Sequence, residues 1–585
     1  MQRPSRVTLV LILAAGCAGH GRSPTAAPAP AKLHAGVVVA PEPHAAKVGA
    51  DVLAAGGNAV DAAIAVAFAL AVTFPSAGNL GGGGFMLVHR EGEADVAIDY
   101  RETAPAAATR DMFLDARGEP SPGESLRTHR AAGVPGTVAG MWLAHRRFGT
   151  RSWGALVAPA ITLAEGVTLE AKVAERLASV AQAPETPPRF RALFFGGGGR
   201  VAQPELAATL RRIAERGAGG FYRGETARLL AEEMRRGGGL VTEQDLAAYL
   251  PVIRRPVEGR YRGRRVVSMP PPSSGGAILL QMLAMLEPFD PARLGPGSAA
   301  YVHLVCEIEK RAFADRSVWL GDPDFVDVPL AGLIAPGYAR ARIAGFDPAR
   351  RTDPAAILAG ALTPSGLPRP TRRGVERTQP AGDREKAETT HFSIVDRHGG
   401  AVANTTTLND GFGSRIVVKD AGFLLNNEMD DFSVKPGARN LYGVIGGERN
   451  AIAPRKRPLS SMSPTFVYDA GGALKLVLGT PGGPTIFTTV FQVIVNRFDF
   501  AMPLGRAVAA PRFHHQWPPP SNGRDPIRAE ALDPPVAAAL AALGYSIETR
   551  SIGDVQAIEI DRARRVATGA ADPRGSGVAS REPAR

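Results

Sequence analysis

A chain of 585 residues and 61.3 kDa is too long for one ordinary domain, and 45% hydrophobic with 21% charged residues is the balance of a globular protein with a substantial core. No Gly-X-Y period and no sustained heptad occurs, which excludes collagen and coiled coil. The formal charge of +12 invites a nucleic-acid partner, but only nine of the 68 basic residues are Lys, aromatics are 6%, and no basic run is interleaved with them. Arg, Ala, Gly and Pro are abundant together, the mark of coding bias rather than of a phosphate-binding surface, so no nucleic acid is expected.

Taken in chain order, the first element is a targeting signal. Arg3 and Arg6 precede an apolar run over residues 7–15, too short to span a bilayer. The run ends in Ala14-Ala15-Gly16-Cys17, which resembles a bacterial lipoprotein signal. Residues 1–16 are then a signal peptide and Cys17 the lipidated first residue, with ordinary cleavage near Ala18 as the alternative. Residues 17–35, rich in Gly, Ser, Pro and Ala, read as a tether. The expected location is the bacterial periplasm or outer membrane, touching lipid only through that anchor. Cys17 and Cys306 are too few for a disulfide framework.

Residues 62–72 carry no charge and predict a buried core helix. Gly81-Gly82-Gly83-Gly84 leads into a strand at 85–88; no Lys-Ser/Thr follows, so close backbone packing is predicted rather than phosphate binding. Residues 130–250 read as mainly helical, with apolar spacing through 159–173 and 206–234. Pro270 to Gly276 ends a strand and opens a helix over 277–286. From 345 to 388 apolar periodicity is lost, predicting a mobile linker. Strands are predicted at 389 onward, 400–408, 423–425 and 475–478, with a helix over 488–497. The chain is thus α-rich before 345 and β-rich after 389.

No His-Glu-x-x-His and no cysteine cluster occurs, so no metal or cofactor is expected. Nor is there a Gly-x-Ser-x-Gly elbow. His514-His515 is tempting, but neighbours on a strand face opposite ways, which predicts a structural pair. The informative segment is Glu388-Thr389-Thr390-His391-Phe392-Ser393, where linker meets strand. By itself such a segment expresses only β-propensity.

Its surroundings are more specific. They include Gly57-Asn58-Ala59-Val60-Asp61-Ala62-Ala63, Tyr100-Arg101-Glu102-Thr103-Ala104-Pro105 and Gly133-Val134-Pro135-Gly136. Ala314-Asp315-Arg316, Asn426-Asn427-Glu428-Met429-Asp430-Asp431, Arg457-Pro458-Leu459-Ser460-Ser461 and Thr480-Pro481-Gly482-Gly483 follow. In this order they resemble the γ-glutamyltransferase family (γ-glutamyl transpeptidases, also glutathione hydrolases), over about Gly36 to Arg574.

The resemblance implies an α+β fold, the αββα sandwich of N-terminal-nucleophile hydrolases. It implies a precursor that cuts itself between Glu388 and Thr389, leaving a large chain, 36–388, paired with a small chain, 389–585. Thr389 would attack the γ-glutamyl amide of glutathione or related donors, and water or an amino-acid or dipeptide acceptor would resolve the ester. The freed α-amine, which titrates at about 7.7–8.0 when unperturbed, can serve as general base. By resemblance Thr407 orients the nucleophile, and the N–H groups of Gly482 and Gly483 hold the oxyanion. Arg101, Ser460 and Ser461 would bind the donor carboxylate; Glu428 and Asp431, with Asn409, the α-amine. Residues 436–450, with Tyr442, match the lid loop of some members. Two alternatives stand beside this reading: a cephalosporin acylase of the same fold taking a glutaryl side chain, and an uncleaved, inactive surface protein.

Overall fold

The computed structural model describes residues 32–194, 200–362, 389–519 and 524–583. Strand alternation builds two antiparallel sheets that share an inner face. One has seven strands in the order Val578–Arg581, Val37–Ala40, Thr389–Val395, Ala401–Thr407, Gly83–His89, Val96–Tyr100, Val252–Arg254. The other has six, in the order Val566–Ala571, Gln556–Asp561, Leu474–Gly479, Thr465–Tyr468, Arg264–Ser268, Val257–Tyr261. Because successive side chains point to opposite faces, each sheet feeds two cores. Val39, Phe85, Leu87 and Val395 of the first sheet meet Val267, Phe466, Val477 and Ile558 of the second. On the outer side of the first sheet, Val38, Met86, Phe392 and Ile394 pack with helices Pro43–Ala54 and Ala59–Thr73. Val266, Val467, Leu476 and Leu478 do the same with helices Gly275–Leu286, Ala299–Trp319 and Thr485–Phe498. The result is the αββα sandwich.

Local chemistry explains the elements that frame the site. Asn58 and Asp61 form a capping box that starts the Ala59–Thr73 helix, all of whose residues are buried. A Cβ on Gly82 would lie 2.1 Å from the Thr407 carbonyl oxygen, and one on Gly84 2.3 Å from that of Thr405. The glycine run therefore serves close backbone approach to the strand that pairs with Thr389.

Three expectations change. Residues 423–425 form no strand; Leu424 makes an isolated bridge to Val417, and the apolar triplet is buried against the helical layer. The apolar stretch 159–173 is divided, since helix Trp153–Glu165 stops at Gly166 and the next begins at Ala171. The linker does not begin at 345, because residues up to 362 are tied to the body. Thr352 N–H donates to Glu307 (3.0 Å), Gly360 N–H to Asp315 (2.7 Å), and Trp319 Nε1–H to the Gly360 carbonyl (3.0 Å). Polar side chains on the Ala299–Trp319 helix supply the order that apolar periodicity does not. Residues 363–388, including Glu388, and the signal, with Cys17 and most of the tether, lie outside the described residues. Among the described residues no helix is long and apolar enough to cross a membrane.

Candidate active site

The ladder aims Thr389. It opens its strand directly opposite Thr407, and odd-numbered side chains of that strand turn toward the second sheet. Thr389 Oγ1 donates to Thr407 Oγ1 at 3.2 Å, and Thr407 Oγ1 accepts the Asn409 N–H at 2.9 Å. Alternation turns Thr390 to the helical side, where its buried hydroxyl has no hydrogen-bond partner among the described residues. Deeper along the strand, His391 shares hydrogen bonds with Thr405 Oγ1 (2.8 Å) and Ser393 Oγ (3.1 Å). Burial pushes its imidazole down to about 3, so it is neutral.

The strand Leu474–Gly479 runs into Thr480-Pro481-Gly482-Gly483 just before helix Thr485–Phe498. Gly482 has φ +138° and Gly483 +56°, and a Cβ on Gly482 would meet Thr485 Oγ1 at 2.3 Å, so the turn requires glycine. The Gly482 carbonyl accepts from Thr485 N–H (3.1 Å) and Oγ1–H (2.9 Å). Neither glycine N–H finds an acceptor among the described residues, which leaves two donors for a developing oxyanion.

Charge organises the opposite end. Arg101 follows strand Val96–Tyr100 and is fully buried. It pairs with Glu428 through Nη1 and with Asp431 through Nη2 (2.5 Å), both on the single turn Glu428–Asp431. Its Nε–H reaches the Pro458 carbonyl (3.3 Å), and Glu102 stands 3.6 Å from Nη1. Three carboxylates thus surround one guanidinium. Burial raises Glu428 well above the usual range and Glu102 to about 7, while Arg101 pulls both down. Glu428 Oε2 and both Glu102 carboxyl oxygens have no hydrogen-bond partner among the described residues. Such acceptors call for a proton or a cationic ligand group.

The 436–450 loop closes over these residues. Tyr442 donates its hydroxyl to the Asn409 carbonyl (2.6 Å), Leu441 N–H donates to Asp430 (2.9 Å), and Gln516 holds the Tyr442 carbonyl (3.0 Å).

One cleft is lined by Thr389, Thr407, Asn409, Arg101, Glu428, Asp431, Ser460, Ser461, Tyr442 and Gly483. Gly482 adjoins that lining. His514 and His515 are elsewhere, facing Thr488 (3.1 Å) and Asp525 (2.6 Å) respectively. Among the described residues no group of three His, Cys, Asp or Glu could hold a metal ion. The cleft also contains Asn440, Met462 and Arg316, which sequence reasoning did not assign to the site. Arg316 belongs to a helix carrying Glu307, Glu309, Lys310, Arg311 and Asp315, a density of charge that reads as solvated although all are buried.

A threonine hydroxyl at the head of a central strand, in an αββα sandwich and sharing a cleft with N–H donors that no described residue engages, defines the class of N-terminal-nucleophile hydrolases. Within that class, the profile described as Gamma-glutamyltranspeptidase matches residues 45–581, and the chain belongs to that family. The glutathione hydrolase proenzyme of Pseudomonas aeruginosa is 47% identical, over 94% of this chain and 95% of its own. Among solved structures, the gamma-glutamyltranspeptidase of Helicobacter pylori shares 42% identity and a TM-score of 0.53, covering 55% of this chain and 94% of its own. A cephalosporin acylase from Bacillus halodurans superposes with a TM-score of 0.77 at 25% identity, covering 96% of this chain and 98% of its own.

Proposed function

We propose that this protein is a γ-glutamyltransferase and hydrolase acting on glutathione and related γ-glutamyl compounds. The observation that carries the reading is the facing of two chemistries across one cleft: the Thr389–Thr407 hydroxyl pair, and paired cations and carboxylates suited to a zwitterion. Maturation would begin when Thr389 Oγ attacks the Glu388 carbonyl; the peptide C–N bond breaks as the ester forms. Water then hydrolyses that ester, releasing the Glu388 carboxylate and restoring the Thr389 hydroxyl beside the α-amine that C–N cleavage had freed.

In turnover, Thr389 Oγ attacks the donor γ-carbonyl and passes its proton to the α-amine. The oxyanion gathers the Gly482 and Gly483 N–H groups, donors of a kind worth roughly 3–4 kcal/mol. Collapse expels the donor's amine with that proton and leaves a γ-glutamyl ester on Thr389. Water, or the amine of an amino acid or dipeptide, resolves it. Arg101, Ser460 and Ser461 serve the donor carboxylate, and Glu428, Asp431 and Asn409 its ammonium, with Tyr442 covering the intermediate.

The mature protein is a large and a small chain held without a disulfide; Cys306 is buried and its thiol is pushed up by burial. Export, with Cys17 lipidated or cleavage near Ala18, completes the proposal. A glutaryl donor, as in cephalosporin acylases, lacks the ammonium that Glu428 and Asp431 would serve. The test is N-terminal sequencing of the purified chains together with release rates from γ-glutamyl and glutaryl p-nitroanilides. A chain beginning at Thr389 and preference for the γ-glutamyl donor are expected; an uncleaved chain, or preference for glutaryl, overturns the proposal.

A further inference from the structure

Two guanidinium groups line the cleft, and they are compensated differently. Arg101 has three carboxylates within ion-pair distance. Arg316 is 6% exposed, and no carboxylate among the described residues comes within 4.0 Å of it. Among the described residues its hydrogen bonds go to hydroxyls, from Nε–H to Ser274 Oγ (2.9 Å) and from Nη2–H to Ser461 Oγ (3.3 Å). Burial lowers its pKa to about 10, opposed by the field of Asp431, so it remains a cation at neutral pH. A buried, unpaired cation facing a cleft is costly unless an anion arrives there.

The hydroxyls carry that charge to one wall. Ser274 Oγ–H and N–H both donate to the Ser460 carbonyl, at 2.6 and 2.8 Å. Ser460 Oγ accepts from the Met462 N–H at 3.1 Å, and Ser461 Oγ accepts from Arg316. Each of these two hydroxyls already receives a donor from the protein, which leaves its own proton to be given into the cleft. In the lining, Arg101 and Arg316 offset the formal charges of Glu428 and Asp431, and removing Arg316 would take cationic charge from the wall where a carboxylate would sit.

We propose that Arg316 is a specificity-determining positioning residue: acting through Ser461 and Ser274, it makes the Ser460–Ser461 wall a receptor for the donor's α-carboxylate. This rests on the γ-glutamyl reading above. The test compares Arg316→Gln with wild type, using γ-glutamyl-p-nitroanilide as donor and two inhibitors, glutarate (no ammonium) and 4-aminobutanamide (no carboxylate). The variant should still cleave itself. Its KM for the donor and its inhibition constant for glutarate should rise on the order of 10- to 100-fold, the range of a lost charged hydrogen bond. The constant for 4-aminobutanamide should stay within about 3-fold, which a merely structural role would not arrange. Equal shifts for both inhibitors, no shift for either, or a fall in kcat at unchanged KM overturns the assignment. If Arg316→Gln fails to fold, Arg316→Lys carries the same comparison, with a smaller change in the ratio of the two constants expected and an unchanged ratio overturning it. A wild type inactive on the γ-glutamyl donor overturns the parent reading and this one with it; an active wild type with equal shifts overturns Arg316 alone.

Discussion

The two ends of the cleft are held in place by different forces. At the nucleophile end the position comes from a backbone ladder: seven consecutive pairs join Thr389–Val395 to Ala401–Thr407, and the side chains that meet are neutral. At the head-group end it comes from charge on loops and single turns, where Arg101 gathers Glu428, Asp431 and the Pro458 carbonyl. A ladder cannot slip by one residue without turning every side chain to the other face. A cluster of buried charges has no such register and is only as stable as its balance. The aim of the nucleophile should therefore tolerate changes outside the hydroxyl pair, whereas recognition should be sensitive to any change of charge or geometry.

The largest effect should come from breaking the ladder end at its first residue. Thr389→Ala should remain a full-length precursor without turnover, and Thr389→Ser should cleave more slowly with reduced activity, because loss of the methyl loosens χ1. Thr390→Ala, on the opposite face, should process and turn over; gel mobility and anilide release read all three. Splitting at 388/389 in Thr389→Ala would remove Thr389 as nucleophile. Next comes the charged end: Arg101→Lys should self-cleave yet lose about 2–3 kcal/mol in kcat/KM, since an ammonium cannot make the two divergent bonds to Glu428 and Asp431. Wild-type kinetics there would take Arg101 out of recognition.

A smaller change is expected where the lid touches the site. Tyr442→Phe removes one hydrogen bond to the Asn409 carbonyl, so KM for the donor should rise by roughly 0.5–1.5 kcal/mol while self-cleavage is unaffected. An unchanged KM would show that the lid does not depend on that bond.

The least effect on turnover, but a clear one on stability, concerns His391. Folded, it titrates near about 3; unfolded, an imidazole titrates near about 6.5. Between those values the unfolded chain binds a proton that the folded chain does not. Stability should therefore be level above pH 6.5 with respect to this group and fall below it, by about 1.4 kcal/mol per pH unit for one proton. His514 and His515, lowered by burial too, add slope of the same sign. Urea unfolding at pH 7.5, 6 and 5 should show a shallower acid slope in His391→Gln than in wild type, and equal slopes would refute a buried neutral His391.

Much of the fold was legible because its signals are local. The uncharged run at 62–72 lies inside the helix Ala59–Thr73, and the alternation of Phe392 and Ile394 marks the strand Thr389–Val395. Where local signals mislead, tertiary contacts are the reason. Residues 423–425 are apolar because they are buried, not because they pair, and residues 345–362 lack periodicity because polar groups of Glu307 and Asp315 hold them. Sequence alone shows Arg316 only within the Ala314-Asp315-Arg316 segment and gives it no place in the cleft, because Ser274 and Ser461, which it meets, are distant along the chain.

By itself, then, the sequence determined the order of elements, the threonine at a strand start, the glycine turn and the set of charged and hydroxyl side chains around them. Those are properties of residue type and spacing. Only the tertiary structure decided that strand Val37–Ala40, from the far end of the chain, lies beside Thr389–Val395, so that the segments before and after residue 388 share both sheets and interleave in the first. It also decided that Arg101 is ringed by three carboxylates of the protein while Arg316, among the described residues, has none within 4.0 Å. Pairing across hundreds of residues and the compensation of one charge by another depend on distance in space, which spacing along the chain does not encode.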